Sequence, residues 1–151
     1  YNYNININIA LIGSIFGPND RSKMVQNIVI SELLRGNSPM LVDGDMMYDW
    51  VYIDDVLEGL IKIAELGFPQ KSYYVGHRKF RSFREIIEET RDIINPTIEL
   101  EFGTIKDYTN IDYTLIDIEA LYKDTGYEAK ADFTNSIKKT AEWVKELYKI
   151  Y

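Results

Sequence analysis

The sequence predicts an α/β domain, and three observations carry that expectation. Short runs rich in β-branched and aromatic residues, Tyr3 to Gly13, Tyr48 to Ile53 and Tyr73 to Val75, alternate with longer segments whose apolar residues recur at helical spacing. Two of those helical segments open on capping-box patterns, Asp55 with Glu58 and Ser82 with Glu85. A length of 151 residues suits one domain, and a hydrophobic share of 46% is enough for a core.

The first run alternates Asn and Ile before turning uniformly apolar, which predicts a central strand of a parallel sheet buried on both faces. Gly17-Pro18-Asn19-Asp20 reads as a loop, and Ser22 as the cap of a helix over Lys23–Arg35 that stops at Gly36. Met40–Asp43 and Tyr48–Ile53 read as strands around a Gly44-Asp45 turn. Asp55 caps a helix from Val56 to Leu66 that ends at Gly67.

Ile86, Ile87, Ile93 and Ile94 give the segment after Ser82 one apolar face, and its helix ends at Asn95-Pro96. Thr97–Phe102 alternates Ile98 and Leu100 with Glu99 and Glu101, the period of a half-buried strand. Asp117 is expected to cap a short helix ending near Gly126. Phe133, Ile137, Ala141, Val144 and Tyr148 mark a long C-terminal amphipathic helix.

Composition removes several function classes. A formal charge of -7 without clustered Lys and Arg argues against nucleic-acid partners and anionic membranes. With no cysteine and a single histidine, His77, the chain offers no disulfide, no iron–sulfur ligands and no usual zinc set. No apolar run approaches the roughly 20 residues that span a bilayer, and no secretory leader is visible, so the expected location is the cytoplasm. The chain opens on Tyr1, so its first residue is expected to be an internal boundary and not a native start.

Ser14-Ile15-Phe16-Gly17-Pro18, then Asp43-Gly44-Asp45, then Tyr48-Asp49-Trp50-Val51-Tyr52-Ile53-Asp54-Asp55-Val56 follow one another in an order that resembles the extended short-chain dehydrogenases/reductases, the NAD-dependent sugar epimerases and dehydratases. The resemblance runs from about Asn4 to about Tyr148 and is strongest between Ser14 and Val56. It implies the C-terminal, substrate-binding part of such an enzyme, with strands that would belong to a Rossmann sheet not included here. Consistent with that, none of the nine glycines forms a Gly-x-Gly-x-x-Gly turn, and none of the twelve tyrosines has Lys four residues on. No catalytic residue is therefore expected within the chain. NAD or NADP would belong to the parent protein, with none bound tightly by this piece.

The resemblance also implies site residues. Gly13 and Ser14 end the strand that brings substrate to the nicotinamide, Gly13 on the cofactor side and Ser14 where an amide donor is usual. Lys23 and Met24 begin the helix over the nucleotide, Pro39 and Leu41 flank the base, and Tyr48 stands at the substrate's edge. Lys23 reads equally as a solvated surface residue, and Met24 and Leu41 as core. Tyr48 occupies the place of an Arg that clamps the diphosphate, and in the stretch Lys106 to Thr109, where a second phosphate-binding Arg is usual, only Lys106 is basic.

The implied ligand is a nucleotide-linked sugar. The alternative is a non-catalytic binding or interaction module on the same scaffold. His77, without a sequence-adjacent partner, reads as a surface or hydrogen-bonded histidine, and Trp50 and Trp143 as packing residues. Exposed strand edges are expected to make the piece a homo-oligomer.

Overall fold

A computed structural model describes residues 5–108 and 112–150. Thr109, the beginning of the first predicted strand and the ends of the chain lie outside the described residues. Among the described residues the polypeptide forms three small ladders and five α-helices. Strand β1 (Ile9–Ile12) pairs in parallel with β5 (Ser72–Val75), and β2 (Ser14–Phe16) in parallel with β4 (Trp50–Tyr52). Strand β3 (Met47–Tyr48) pairs antiparallel with β6 (Arg81–Ser82).

Two apolar cores lie on either side of β4, because successive strand side chains point to opposite faces. Trp50 and Tyr52 face a core built with Phe16, Val29, Ile30, Leu33, Phe83, Ile86, Ile87 and Ile137. That core joins α1 (Val25–Leu34), α3 (Phe83–Ile94) and α5 (Phe133–Tyr148). Val51 faces the second core, shared by α2 (Ile53–Leu66), β5 and α4 (Ala120–Thr125) through Val56, Ile63, Tyr73, Val75 and Leu121.

Local signals placed most helices correctly. The Ser82–Glu85 box is formed in both directions: Ser82 Oγ accepts the Glu85 N–H, and the Glu85 carboxylate accepts the Ser82 N–H. Such a cap contributes about 1 kcal/mol. Asp132 caps α5 by accepting the N–H of Asn135 at 2.8 Å, and α4 ends on Gly126 in the left-handed conformation.

Other expectations need correction. Strand β1 is not a central, doubly buried strand: β5 is its one partner among the described residues, and Ile7, Ile9 and Leu11 are exposed. Ser22 does not cap α1; the helix begins at Val25, and Ser22 donates its N–H and hydroxyl to the Asp20 carboxylate instead. Tyr48–Ile53 is broken at Asp49 into two strands that join different ladders. Met40–Asp43 and Thr97–Phe102 form no strands. These two segments meet irregularly, with Leu41 N–H donating to Thr104 Oγ1 and the Gly103 N–H to the Val42 carbonyl.

Asp55 is not the cap of α2, which starts two residues earlier, at Ile53. Its buried carboxylate accepts the N–H groups of Lys130 and Ala131 at 3.1 and 3.0 Å, tying the approach to α5 onto the first turn of α2. Asp117 lies before α4, whose N-cap is Glu119, and accepts the Glu119 N–H. Among the described residues no helix is long and apolar enough to cross a membrane.

Candidate functional site

The C-terminal ends of parallel strands β1 and β2 open onto a cleft of about 790 Å³, the end of such strands where α/β folds receive ligands. Gly13, Ser14, Met24, Ile53, Tyr74 and Tyr113 are among the residues that line it. A second cavity of about 770 Å³ adjoins it and shares Tyr113 and Ile116 as a common wall. The Tyr113 ring lies 4.3 Å from that of Phe80 and 6.5 Å from that of Tyr74, centroid to centroid, so the partition is aromatic.

Asp49 lies behind this wall and holds it. Breaking the strand there turns its carboxylate inward, where it is 3% exposed. It accepts the Tyr74 hydroxyl at 2.8 Å and the His77 N–H at 2.9 Å, and lies 2.6 Å from His77 Nδ1. The Asp49 carbonyl also accepts the Ser14 N–H, at 2.8 Å, so one residue binds the cleft's strand to the end of β5. The approach is close enough to require glycine at position 76, where a Cβ would stand 2.2 Å from Asp49 Oδ2.

These contacts set the proton chemistry. Burial first, then the Asp49 charge, push the Tyr74 phenol well above its usual range, and burial also raises Tyr113. Both keep their protons at neutral pH. The Asp49 hydrogen bond raises the pKa of His77, outweighing the opposing effect of burial.

His77 thus has a folded pKa above its unfolded value of about 6.5. The stability it contributes is complete below about pH 6.5 and is lost as pH rises through the folded pKa. Because the chain has one histidine, a proton NMR titration reads this group without ambiguity. The expected midpoint lies above that of a free imidazole, and a midpoint at or below it would contradict the pairing.

The sequence-predicted residues separate into two groups. Gly13, Ser14 and Met24 come together on the first cavity. Tyr48 is half-buried with its ring 5.1 Å from that of Phe83, next to Met47, which lines the second cavity. Leu41 is fully buried in the core, Pro39 is buried, and Lys23 and Lys106 are exposed; none of these four lines either cavity. Tyr74, Phe80 and Tyr113 were not singled out as site residues. Tyr74 had a signal, being the strand neighbour of Tyr73 with the opposite facing, whereas Tyr113 sits on an isolated 3₁₀ turn with no periodicity to follow.

A dinucleotide needs free backbone N–H groups at a helix start for its pyrophosphate. Of the two helices that follow a strand directly, α2 carries Asp54 and Asp55 in its first turn. In α3 the Phe83 N–H is bonded to the Met46 carbonyl and the Glu85 N–H to Ser82. These junctions do not fit a pyrophosphate.

Fold and cleft together define an α/β unit with an open cleft at its strand ends, in which the starts of α2 and α3 offer no phosphate cradle. Residues 1–76 match the model of the NAD dependent epimerase/dehydratase family. The chain belongs to that family, the extended short-chain dehydrogenases/reductases that its motifs resemble. It is 26% identical over 153 residues to a probable dTDP-glucose 4,6-dehydratase of Sinorhizobium fredii, covering 95% of this chain and 43% of that protein. The same identity, over 152 residues and with the same coverage, holds for human dTDP-D-glucose 4,6-dehydratase. The chain therefore spans less than half the length of these relatives. Among solved structures, UDP-glucuronic acid 4-epimerase from Bacillus cereus, in complex with UDP-glucuronic acid and NAD, superposes with a TM-score of 0.80 at 21% identity. That match covers 97% of this chain and 48% of the epimerase, and establishes a shared fold.

Proposed function

We propose that this chain is the substrate-holding part of a cytoplasmic NAD-dependent epimerase/dehydratase that acts on a nucleotide-linked sugar, inactive by itself. The supporting observation is the cleft at the ends of β1 and β2, walled by Tyr74, which Asp49 anchors from behind, and by Tyr113, in a chain of this family whose α2 and α3 starts hold no pyrophosphate cradle. Strands β1 and β5 would extend a dinucleotide-binding sheet carried by another part of the fold, which would supply NAD or NADP and the acid/base. Within this chain, Ser14 offers a hydroxyl to the sugar and the aromatic wall excludes water.

Thermal unfolding of the 151-residue chain tests this reading. With dTDP-glucose at about ten times its Kd, stability should rise by about 1.4 kcal/mol, a shift of a few degrees in Tm, while NAD leaves Tm unchanged. No shift with the sugar nucleotide at any concentration, or a shift with NAD alone, would overturn it.

Strand β1 and the segment leading into it expose Ile5, Ile7, Ile9 and Leu11, and the 16 residues before Gly17 carry no charge to discourage pairing. We expect two copies of the isolated chain to associate through β1. Sedimentation equilibrium should show mass rising with concentration, and Ile9→Lys should return the chain to a monomer.

A further inference from the structure

Gly13 and Ser14, where β1 passes into β2, line the first cavity and are held from behind by one buried cluster. A Cβ at position 13 would stand 2.8 Å from the Tyr74 hydroxyl and 3.1 Å from the Asp49 carbonyl oxygen, so the missing side chain there admits the phenol. The Asp49 carbonyl accepts the Ser14 N–H, and its carboxylate accepts the Tyr74 hydroxyl. Strand end, phenol and carboxylate are close-packed into one unit, so a shift of one displaces the others.

The counter-charge of this unit comes from His77. Its Nδ1 lies 2.6 Å from Asp49 Oδ1, and its backbone N–H donates to Asp49 Oδ2. Facing a carboxylate, Nδ1 carries a proton in both charge states, and the proton that titrates is the one on Nε2 of the partly exposed ring. Around the pair, Asp55 on α2 adds a second buried carboxylate, bound by the N–H groups of Lys130 and Ala131. Arg81 on β6 opposes the imidazolium but is engaged by Glu89. Arg78 forks onto Glu119, and Lys79 is exposed. The phenols of Tyr74, Tyr113 and Tyr127, which feel the Asp49 charge, are kept neutral by burial.

Resting on the sugar-binding reading above, we infer that Asp49 and His77 are positioning residues for this cleft: the imidazolium fixes the carboxylate that seats Tyr74 and Ser14, and loss of its proton loosens that lining and weakens ligand binding. A buried carboxylate stripped of its counter-charge is costly, and it regains hydration by drawing water in or by turning from Tyr74. Charge-assisted hydrogen bonds are about twice as strong as neutral ones, so the loosening lowers affinity about threefold to fivefold. The direction follows from His77. Its bond to Asp49 raises its pKa, so the tight state is complete below about pH 6.5 and is lost as pH rises through the folded value.

Calorimetric titration of the 151-residue chain with dTDP-glucose at about pH 6 and about pH 9, in about 0.5 M salt, tests the inference. At that salt the Debye length is under about 5 Å, so the His77 charge does not reach the ligand's phosphates through solvent. The Kd should be about threefold to fivefold larger at the higher pH. By reciprocity, saturating dTDP-glucose should raise the NMR midpoint of His77 by about half a pH unit. His77→Gln cannot titrate, and in Asp49→Asn the imidazole titrates but no longer holds a carboxylate, so each variant should give one Kd at both pH values. Equal affinity at the two pH values in the unaltered chain, a His77 midpoint that ignores the ligand, or a pH dependence that survives in Asp49→Asn overturns the inference and leaves the sugar-binding reading standing. No binding at either pH overturns that reading and the inference with it.

Discussion

Asp49→Ala is expected to lower the stability of the chain by about 3 kcal/mol, read as a shift in the urea midpoint without a change in slope. The loss has three sources: a buried tyrosine hydroxyl left without its acceptor, a backbone N–H of His77 released, and an imidazolium left without its carboxylate. Hydrogen bonds to charged groups contribute about 1.5–3 kcal/mol each, but the His77 side chain is 36% exposed, so solvent screening keeps the total well below the sum. Asp49→Asn retains an acceptor for Tyr74 and should lose less, while removing the pH dependence that the His77 pair creates. A loss under about 1 kcal/mol for the alanine variant would mean that the strand break is held by packing alone.

Asp55→Ala gives the second large effect, again about 3 kcal/mol. It leaves two N–H groups, those of Lys130 and Ala131, facing a buried position with no partner, each costing about 1–3 kcal/mol. Its magnitude separates two roles for this residue. A helix N-cap contributes about 1 kcal/mol, so a loss near that value would support capping, and a loss near three times it supports a clamp between α2 and the segment leading into α5. Asp54→Ala, at the exposed neighbour, serves as the control and should change stability by no more than about 0.5 kcal/mol.

Both aspartates illustrate what one sequence reveals and what it conceals. Capping boxes and helical apolar faces are written within a few residues, and Ser82 and the C-terminal ends of α2 and α3 were accordingly predictable. Asp55 carries the same local signature as Ser82, yet its carboxylate is claimed by backbone 75 and 76 residues away. The partner of His77 lies 28 residues before it, on a strand break that aromatic periodicity hides.

The alternation in Ile98–Phe102 was a true record of burial, with Ile98 inside and Glu99 outside, but not of a ladder. Its neighbour segment is engaged through the Thr104 side chain, which satisfies Leu41 in place of strand pairing. At the site, Gly13 and Ser14 were placed by resemblance, and they line the first cavity. The basic residues Lys23 and Lys106 were placed on the cleft only by resemblance, and side-chain direction on loops has no period to read.

Strand β1 also governs how the cleft behaves in time. Ile9 pairs with Ser72, a long-range ladder with a loop-closure cost, and one edge plus an exposed face leave it few anchors. In native-state hydrogen exchange, the amides of Ile9–Ile12 should open at the lowest free energy of the ladders, while those of α1, α3 and α5 approach the global value. Residues Leu11 to Ser14 that continue this strand are also a wall of the ligand cavity. The shape of that cavity is thereby coupled to whatever occupies the free edge of β1: a neighbour laid along it would quench the opening and tighten the site from a distance.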